Sequence, residues 1–158
     1  MSYSNQITII DFEEKYQEDF KKLNQWWIEK YFTMEKMDFQ ALDNPKEYII
    51  DKGGYILIAL LKGEAVGVCA LIPTKLSDYD FELAKMGVAQ NAQGHGIGYL
   101  LGKAVIHKAR LNGAKRIHLE SNTILAPAIR LYEKLGFNEV KGLPSPYERC
   151  NIQMDLNL

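Results

Sequence analysis

The sequence predicts an α/β chain, with a mixed (α+β) sheet and helices on both of its faces. Three observations predict it. Two strand-like runs, Tyr55 to Leu61 and Glu64 to Ile72, flank Lys62-Gly63 and read as an antiparallel hairpin. A strand, a helix and a second strand follow in order between Tyr79 and Glu120. The 158 residues are 47% hydrophobic and 25% charged, which suits one globular domain over residues 1–158 and excludes disordered or fibrous classes.

Each element has a local reason. Ile7 to Ile10 is a short apolar run and a first strand. Asp11 is placed to cap the next helix, with Glu13 and Glu14 in its first turn, where the helix dipole favours acids. That helix runs to about Phe32, with Phe20, Leu23, Trp27 and Tyr31 at helical spacing. Met34 to Leu42 predicts a second short helix, broken by Asp43-Asn44-Pro45, and Lys46 to Ile50 predicts one or two turns. After the hairpin, Tyr79 to Val88 is a strong strand. Ile97, Leu100, Leu101, Ala104, Val105 and Leu111 trace one helical face that ends at Asn112-Gly113. Arg116 to Glu120 is a strand. Pro127 opens a helix that Gly136 closes. Phe137 to Lys141 and Arg149 to Leu156 are the last strands.

Composition removes several functions. Nineteen basic against twenty acidic residues leave a formal charge of −1, so no nucleic-acid partner is expected. No apolar run approaches the roughly 20 residues that span a bilayer, so no membrane role is expected. The polar start, Met1 to Gln6, has no signal-peptide pattern, and Cys69 and Cys150 make no disulfide framework, so a cytoplasmic setting is expected. No two histidines have metal-ligand spacing and no Cys-x-x-Cys pair exists, so no metal is expected. The Gly-x-Ser-x-Gly elbow is absent too.

The most informative stretch is Gln93-Gly94-His95-Gly96-Ile97-Gly98, between a predicted strand and a predicted helix. Glycines there let main-chain amides approach an anion, and a helix N-terminus adds unpaired donors. Together they suit a pyrophosphate. A phosphate-binding P-loop fails, because Gly102-Lys103 is followed by Ala104. A dinucleotide fingerprint has Tyr99 in its last glycine place, although Glu120 imitates its ribose-binding acid. That alternative stays open at this point.

Gln93-x-x-Gly96-x-Gly98, after the strand ending Met86-Gly87-Val88, resembles the acetyl-CoA signature of the GCN5-related N-acetyltransferases (GNAT). Ala128 to Phe137, with its Tyr-x-x-x-Gly-Phe ending, resembles the late helix of that family. The resemblance implies an acyl-CoA N-acyltransferase fold with a central mixed, mostly antiparallel sheet flanked by helices. It implies acetyl-CoA as cosubstrate and an amine as acceptor; the primary amine of a small molecule is expected, and an amino acid, a polyamine, an antibiotic or a protein N-terminus all stay open. Main-chain groups of Met86, Gly87 and Val88 would then pair with the pantetheine arm. Residues Gln93, Gly94, His95, Gly96, Ile97 and Gly98 would wrap the pyrophosphate. Tyr132 would sit near the thioester sulfur, Lys134 near the nucleotide, and Asn122 on the pantetheine.

Acetyl transfer also needs a base, because an alkylamine is neutral in only about one molecule in 2,500 at pH 7. Glu82 is the candidate, and period-two alternation places it on one face with Ala84 and Met86, opposite Phe81, Leu83 and Lys85. Tyr132 is the candidate acid for the departing thiolate. Tyr31, Glu35 and Asp38 recur at helical spacing beside Trp26 and Trp27, so a cationic acceptor would meet acids along an aromatic wall. The plainer expectation packs Trp27 and Tyr31 on the sheet and leaves the acids in water. His118 is expected to be structural. A CoA-binding sensor without turnover, and a homodimer through an edge strand or the final hairpin, stay open as well.

Overall fold

The computed structural model describes residues 4–158. Its strands are β1 (Ile7–Asp11), β2 (Tyr55–Leu61), β3 (Glu64–Pro73), β4 (Phe81–Val88), β5 (Arg116–Ser121), β6 (Asn138–Val140) and β7 (Ile152–Asn157). Its α-helices are α1 (Gln17–Tyr31), α2 (Lys36–Asp43), α3 (Ile97–Leu111) and α4 (Ala126–Leu135). The strands form one sheet in the order β1-β2-β3-β4-β5-β7-β6. Every neighbouring pair is antiparallel except β4 and β5. A parallel pair needs a crossover, and α3 supplies it.

Strand alternation splits the core into two layers. Leu57, Cys69, Leu71 and Leu83 join Leu101, Val105 and Tyr132 on the α3 and α4 face. Ile56, Ile58, Val68 and Ala70 join Phe20, Ile28 and Leu42 on the α1 and α2 face. Both faces are thus covered, as expected from the mixed element order. Among the described residues no helix is long and apolar enough to cross a membrane.

Several boundaries differ from the sequence reading. Asp11 stays in β1, and α1 starts only after a 3₁₀ turn at Glu14–Tyr16. Lys46–Ile50 does form the expected short turn, in π-helical form. Tyr79 lies before β4, where its hydroxyl donates to Asp155 at 2.7 Å. Arg149 lies before β7, and its guanidinium has partners on α2 instead. Leu111, in the last turn of α3, is 69% exposed and not part of the buried face.

Two irregularities of β4 create the site. First, β4 pairs with β5 only at Phe81–Ile117 and Glu82–His118. Beyond that point β5 stays with β7, through Ser121–Ile152, while β4 stays with β3, through Val88–Gly67. The two strands part and leave the remaining length of β4 open on one side. Second, β4 carries a bulge. Ala84 faces Ala70 and Gly87 faces Val68, so β4 holds one extra residue there. Lys85 sits in it with φ of 52°.

The bulge corrects the predicted alternation. Leu83 and Met86 both pack into the α3 and α4 layer, whereas Lys85 reaches α2. Met86 is therefore on the face opposite Glu82's layer, and Lys85 is not with Leu83. Gly87 faces α1, where a Cβ would meet the Leu23 carbonyl oxygen at 2.8 Å. Its absent side chain lets α1 cross β4 closely.

Candidate active site

The parted strands bound a cleft of about 440 Å³. Met86, Val88, Gly94, Gly96, Ile97, Gly98, Leu131 and Tyr132 line it toward the glycine loop, and Trp27, Tyr31, Glu82, Lys85, Glu120, Tyr147 and Arg149 line the remainder; Trp26 adjoins Val88 and Gln90.

The glycine loop builds the first part. A 3₁₀ turn at Gln90–Ala92 takes the chain away from β4, and the Gln93 side chain donates back to the Val88 carbonyl at 3.1 Å. Gly94 and Gly96 have φ of 83° and 79°, a region costly to residues with a Cβ. A Cβ at either would meet nothing within 4 Å, so packing does not demand these glycines. The Gln93 amide is spent on the Gln90 carbonyl at 3.4 Å. The amides of Gly94 and Gly96 make no main-chain hydrogen bond among the described residues. With the first-turn amides of α3 they form a cluster of donors at the positive end of a helix dipole. This arrangement fits a pyrophosphate.

Gly98 has a second reason. A Cβ there would lie 3.0 Å from Leu131, and one at Gly102 would lie 2.4 Å from Leu135. Spaced one turn apart on α3, the two glycines let α4 pack close. That contact brings Tyr132 to the cleft. Tyr132 is buried edge-on to Phe137, with ring centroids 6.2 Å apart, and burial pushes its phenol up. It keeps its proton at any working pH.

Three of the predicted cofactor residues sit differently, and one of them, His95, is outside the cleft lining. Asn122 lines the cleft, but its Nδ2 donates to the Arg149 carbonyl at 2.7 Å and its Oδ1 accepts from the Ile124 amide at 2.9 Å. Both polar atoms are engaged in holding the loop before β7. Lys134 is exposed and stands over the Tyr99 ring, 4.4 Å from its centroid, outside the cleft lining.

The remainder of the cleft holds two carboxyl groups. Glu82 is half-buried, and loss of water pushes its carboxyl up to about 8. The Glu120 carboxyl beside it adds to the rise, and the Lys85 ammonium opposes it. Glu120 is itself raised by burial. Its Oε1 accepts from Gln153 at 3.4 Å, while its Oε2 is buried with no hydrogen-bond partner among the described residues. An orphaned carboxylate oxygen facing a cleft calls for a donor from outside the chain.

Around these lies a charge network that sequence reading missed. Asp38 is fully buried rather than solvated. Its carboxylate accepts from Lys85 at 2.7 Å, from both Arg149 nitrogens at 2.6 and 2.7 Å, and from the Glu35 amide at 2.9 Å. Burial alone would raise the Asp38 carboxyl, but these donors bring it down to about 2. Glu35 caps α2, accepts from the Glu148 amide at 3.2 Å and pairs with Arg149 at 3.5 Å. It braces the loop and does not line the cleft. The only sequence signal was the capping box at Glu35 and Asp38.

The aromatic wall is real but differently set. Trp27 is fixed by its indole bond to buried Asn24 at 3.1 Å. Tyr31 is 43% exposed at the rim and does not pack on the sheet. His118 is buried and outside the cleft, bonded to Thr74 at 3.1 Å, with its pKa lowered to about 4 by burial. The dinucleotide alternative loses its frame here. A doubly wound fold needs a parallel sheet, and among the described residues only one strand pair is parallel.

Comparison with known proteins is consistent with this geometry. Residues 11–137 match the profile of the acetyltransferase (GNAT) family. The N-acetylaspartate synthetase of Danio rerio is 34% identical over 93 residues, which cover 59% of this chain and 33% of that protein. The chain thus spans about a third of the length of that relative. An acetyltransferase of the GNAT family from Staphylococcus aureus Mu50 superposes with a TM-score of 0.85 at 23% identity, covering 96% of this chain and 98% of that one. The structure of yncA from Salmonella typhimurium, with its cofactor acetyl-CoA, superposes with a TM-score of 0.76 at 19% identity, covering 97% and 94%. These structural likenesses bear on the fold.

Proposed function

The chain belongs to the acetyltransferase (GNAT) family, and from that premise we propose that it moves an acetyl group from acetyl-CoA to the primary amine of a small molecule, by direct attack in a ternary complex. The observation that carries the reading is the parted β4–β5 cleft, with free amides toward the glycine loop and two carboxyl groups in the remainder.

Acetyl-CoA supplies an activated acyl thioester. The amides of Gly94, Gly96 and the first turn of α3 hold its pyrophosphate. The open edge of β4, at Met86 and Val88, pairs with the pantetheine as an added strand would. Glu82 takes a proton from the acceptor ammonium, directly or through water. The neutral nitrogen then bonds to the thioester carbon. Main-chain amides near the bulge stabilise the oxyanion. As the carbon–sulfur bond breaks, the acylated nitrogen releases its second proton, and the Tyr132 hydroxyl relays it to the departing thiolate, so that the amide, the free thiol and a neutral tyrosine remain. The unpartnered Glu120 oxygen favours a cationic acceptor. A reducing, cytoplasmic setting suits the free thiols Cys69 and Cys150.

The test has two parts. Acetyl-CoA should raise the melting temperature, and thiol release across a panel of primary amines should find an acceptor. An unchanged melting temperature at saturating acetyl-CoA would remove the cofactor assignment. Binding without thiol release for any amine would return the sensor reading.

A further inference from the structure

Lys85 and Arg149 both line the cleft beside Glu82 and Glu120. Left to themselves, an ammonium and a guanidinium so close to two carboxyl groups would pair with them. They do not. Lys85 points to Asp38 at 2.7 Å and to the Tyr147 hydroxyl at 3.0 Å. Arg149 lies in a bidentate fork on Asp38 and against the Tyr147 ring, 4.5 Å from its centroid. Asp38 itself is absent from the cleft lining and is fully buried behind it. Its two oxygens accept four donors, which is about the full capacity of a carboxylate.

We propose that Asp38 is a positioning residue of the acceptor end: it draws the cationic heads of Lys85 and Arg149 to itself and so leaves Glu82 and Glu120 without a direct ion pair, open to the ammonium of the acceptor. The bulge serves the same end, because only the turn at Lys85 aims that side chain at α2. A glutamate already paired with lysine would bind a cationic substrate poorly and make a weak base. This inference rests on the reading of Glu82 as a proton acceptor, but its test needs no turnover.

The groups that face Glu82 are Lys85 on its own strand, Glu120 from β5 and Tyr147 from the loop before β7. The measurement is a carbon-13 NMR titration of the full chain labelled at glutamate carboxyl carbons, with Glu82→Gln to assign the signal. In the native chain the midpoint should lie well above the ordinary glutamate range, near 8. Asp38→Asn keeps the shape and removes the charge, so Lys85 is released, and the midpoint should fall by about one pH unit or more. Adding Lys85→Met to Asp38→Asn should restore most of that fall. An unmoved midpoint in folded Asp38→Asn overturns the proposal, since a purely structural role would lower only the melting temperature. Should that variant not fold, Lys85→Met alone decides. A rise of less than about half a unit supports a sequestered lysine, whereas a rise of more than about one unit means that Lys85 already serves Glu82 and overturns it. Absence of acetyl transfer would leave either titration result standing.

Discussion

Replacing Glu82 with Gln tests the base assignment through a number the structure supplies. An alkylammonium has a pKa of about 10.4. Passing its proton to a glutamate at its ordinary 4.5 would be uphill by about 6 pKa units, or about 8 kcal/mol. With Glu82 held near 8, the gap is about 2.4 units, or about 3 kcal/mol. Burial beside Glu120 therefore removes about 5 kcal/mol from the proton transfer. Initial rates of thiol release, measured from about pH 6 to about pH 9.5, should show kcat/KM rising with unit slope and levelling near pH 8. Glu82→Gln should erase that inflection and lower the plateau by about 10²- to 10⁴-fold. Survival of the inflection in the variant, or a loss below about threefold, would refute the assignment. Stability gives an independent arm. A carboxyl whose folded pKa is raised makes folding take up a proton, so stability is lost as pH rises from 4.5 to about 8. Glu82→Gln should thus melt higher than the native chain above that window and alike below it.

Three other outcomes follow from the cleft. A ligand at about 100 times its dissociation constant stabilises by about 2.7 kcal/mol, so acetyl-CoA should raise the melting temperature by about 5 to 10 °C, and Gly96→Trp should abolish the shift because its side chain fills the open space at the loop. Tyr132→Phe should lower kcat by about tenfold to a hundredfold, the worth of a hydrogen bond to a charged atom, with acetyl-CoA affinity nearly unchanged by calorimetry. Gly102→Ala sets a methyl 2.4 Å from Leu135 and should cost about 1 to 3 kcal/mol, read as a lower denaturation midpoint at constant slope.

The periodic elements were legible because each has a one-dimensional signature. The hairpin at Tyr55–Leu61 and Glu64–Pro73, the helix α3 and the glycine loop all follow from spacing and turn residues. The two motifs flanking β5 named the family, which the match over residues 11–137 bears out. The acceptor end was less legible, for a physical reason. Its chemistry depends on a bulge and on partners distant in sequence. A bulge reverses alternation after Lys85, and nothing in the Phe81–Val88 run announces it. Asp38 meets Lys85 and Arg149 across 47 and 111 positions, so a residue read as solvated becomes the buried hub of the site. Gly87 and Gly98 were read for the cofactor alone, whereas close approach of α1 and α4 also requires them.

A crystal structure of the chain with coenzyme A bound tests the central claim most directly. The account predicts pyrophosphate oxygens within hydrogen-bonding reach of the Gly94 and Gly96 amides and the first turn of α3, with the pantetheine amides paired to β4 at Met86 and Val88. Density for the molecule outside the parted β4 and β5 strands, or loop amides turned away from its phosphates, would contradict it.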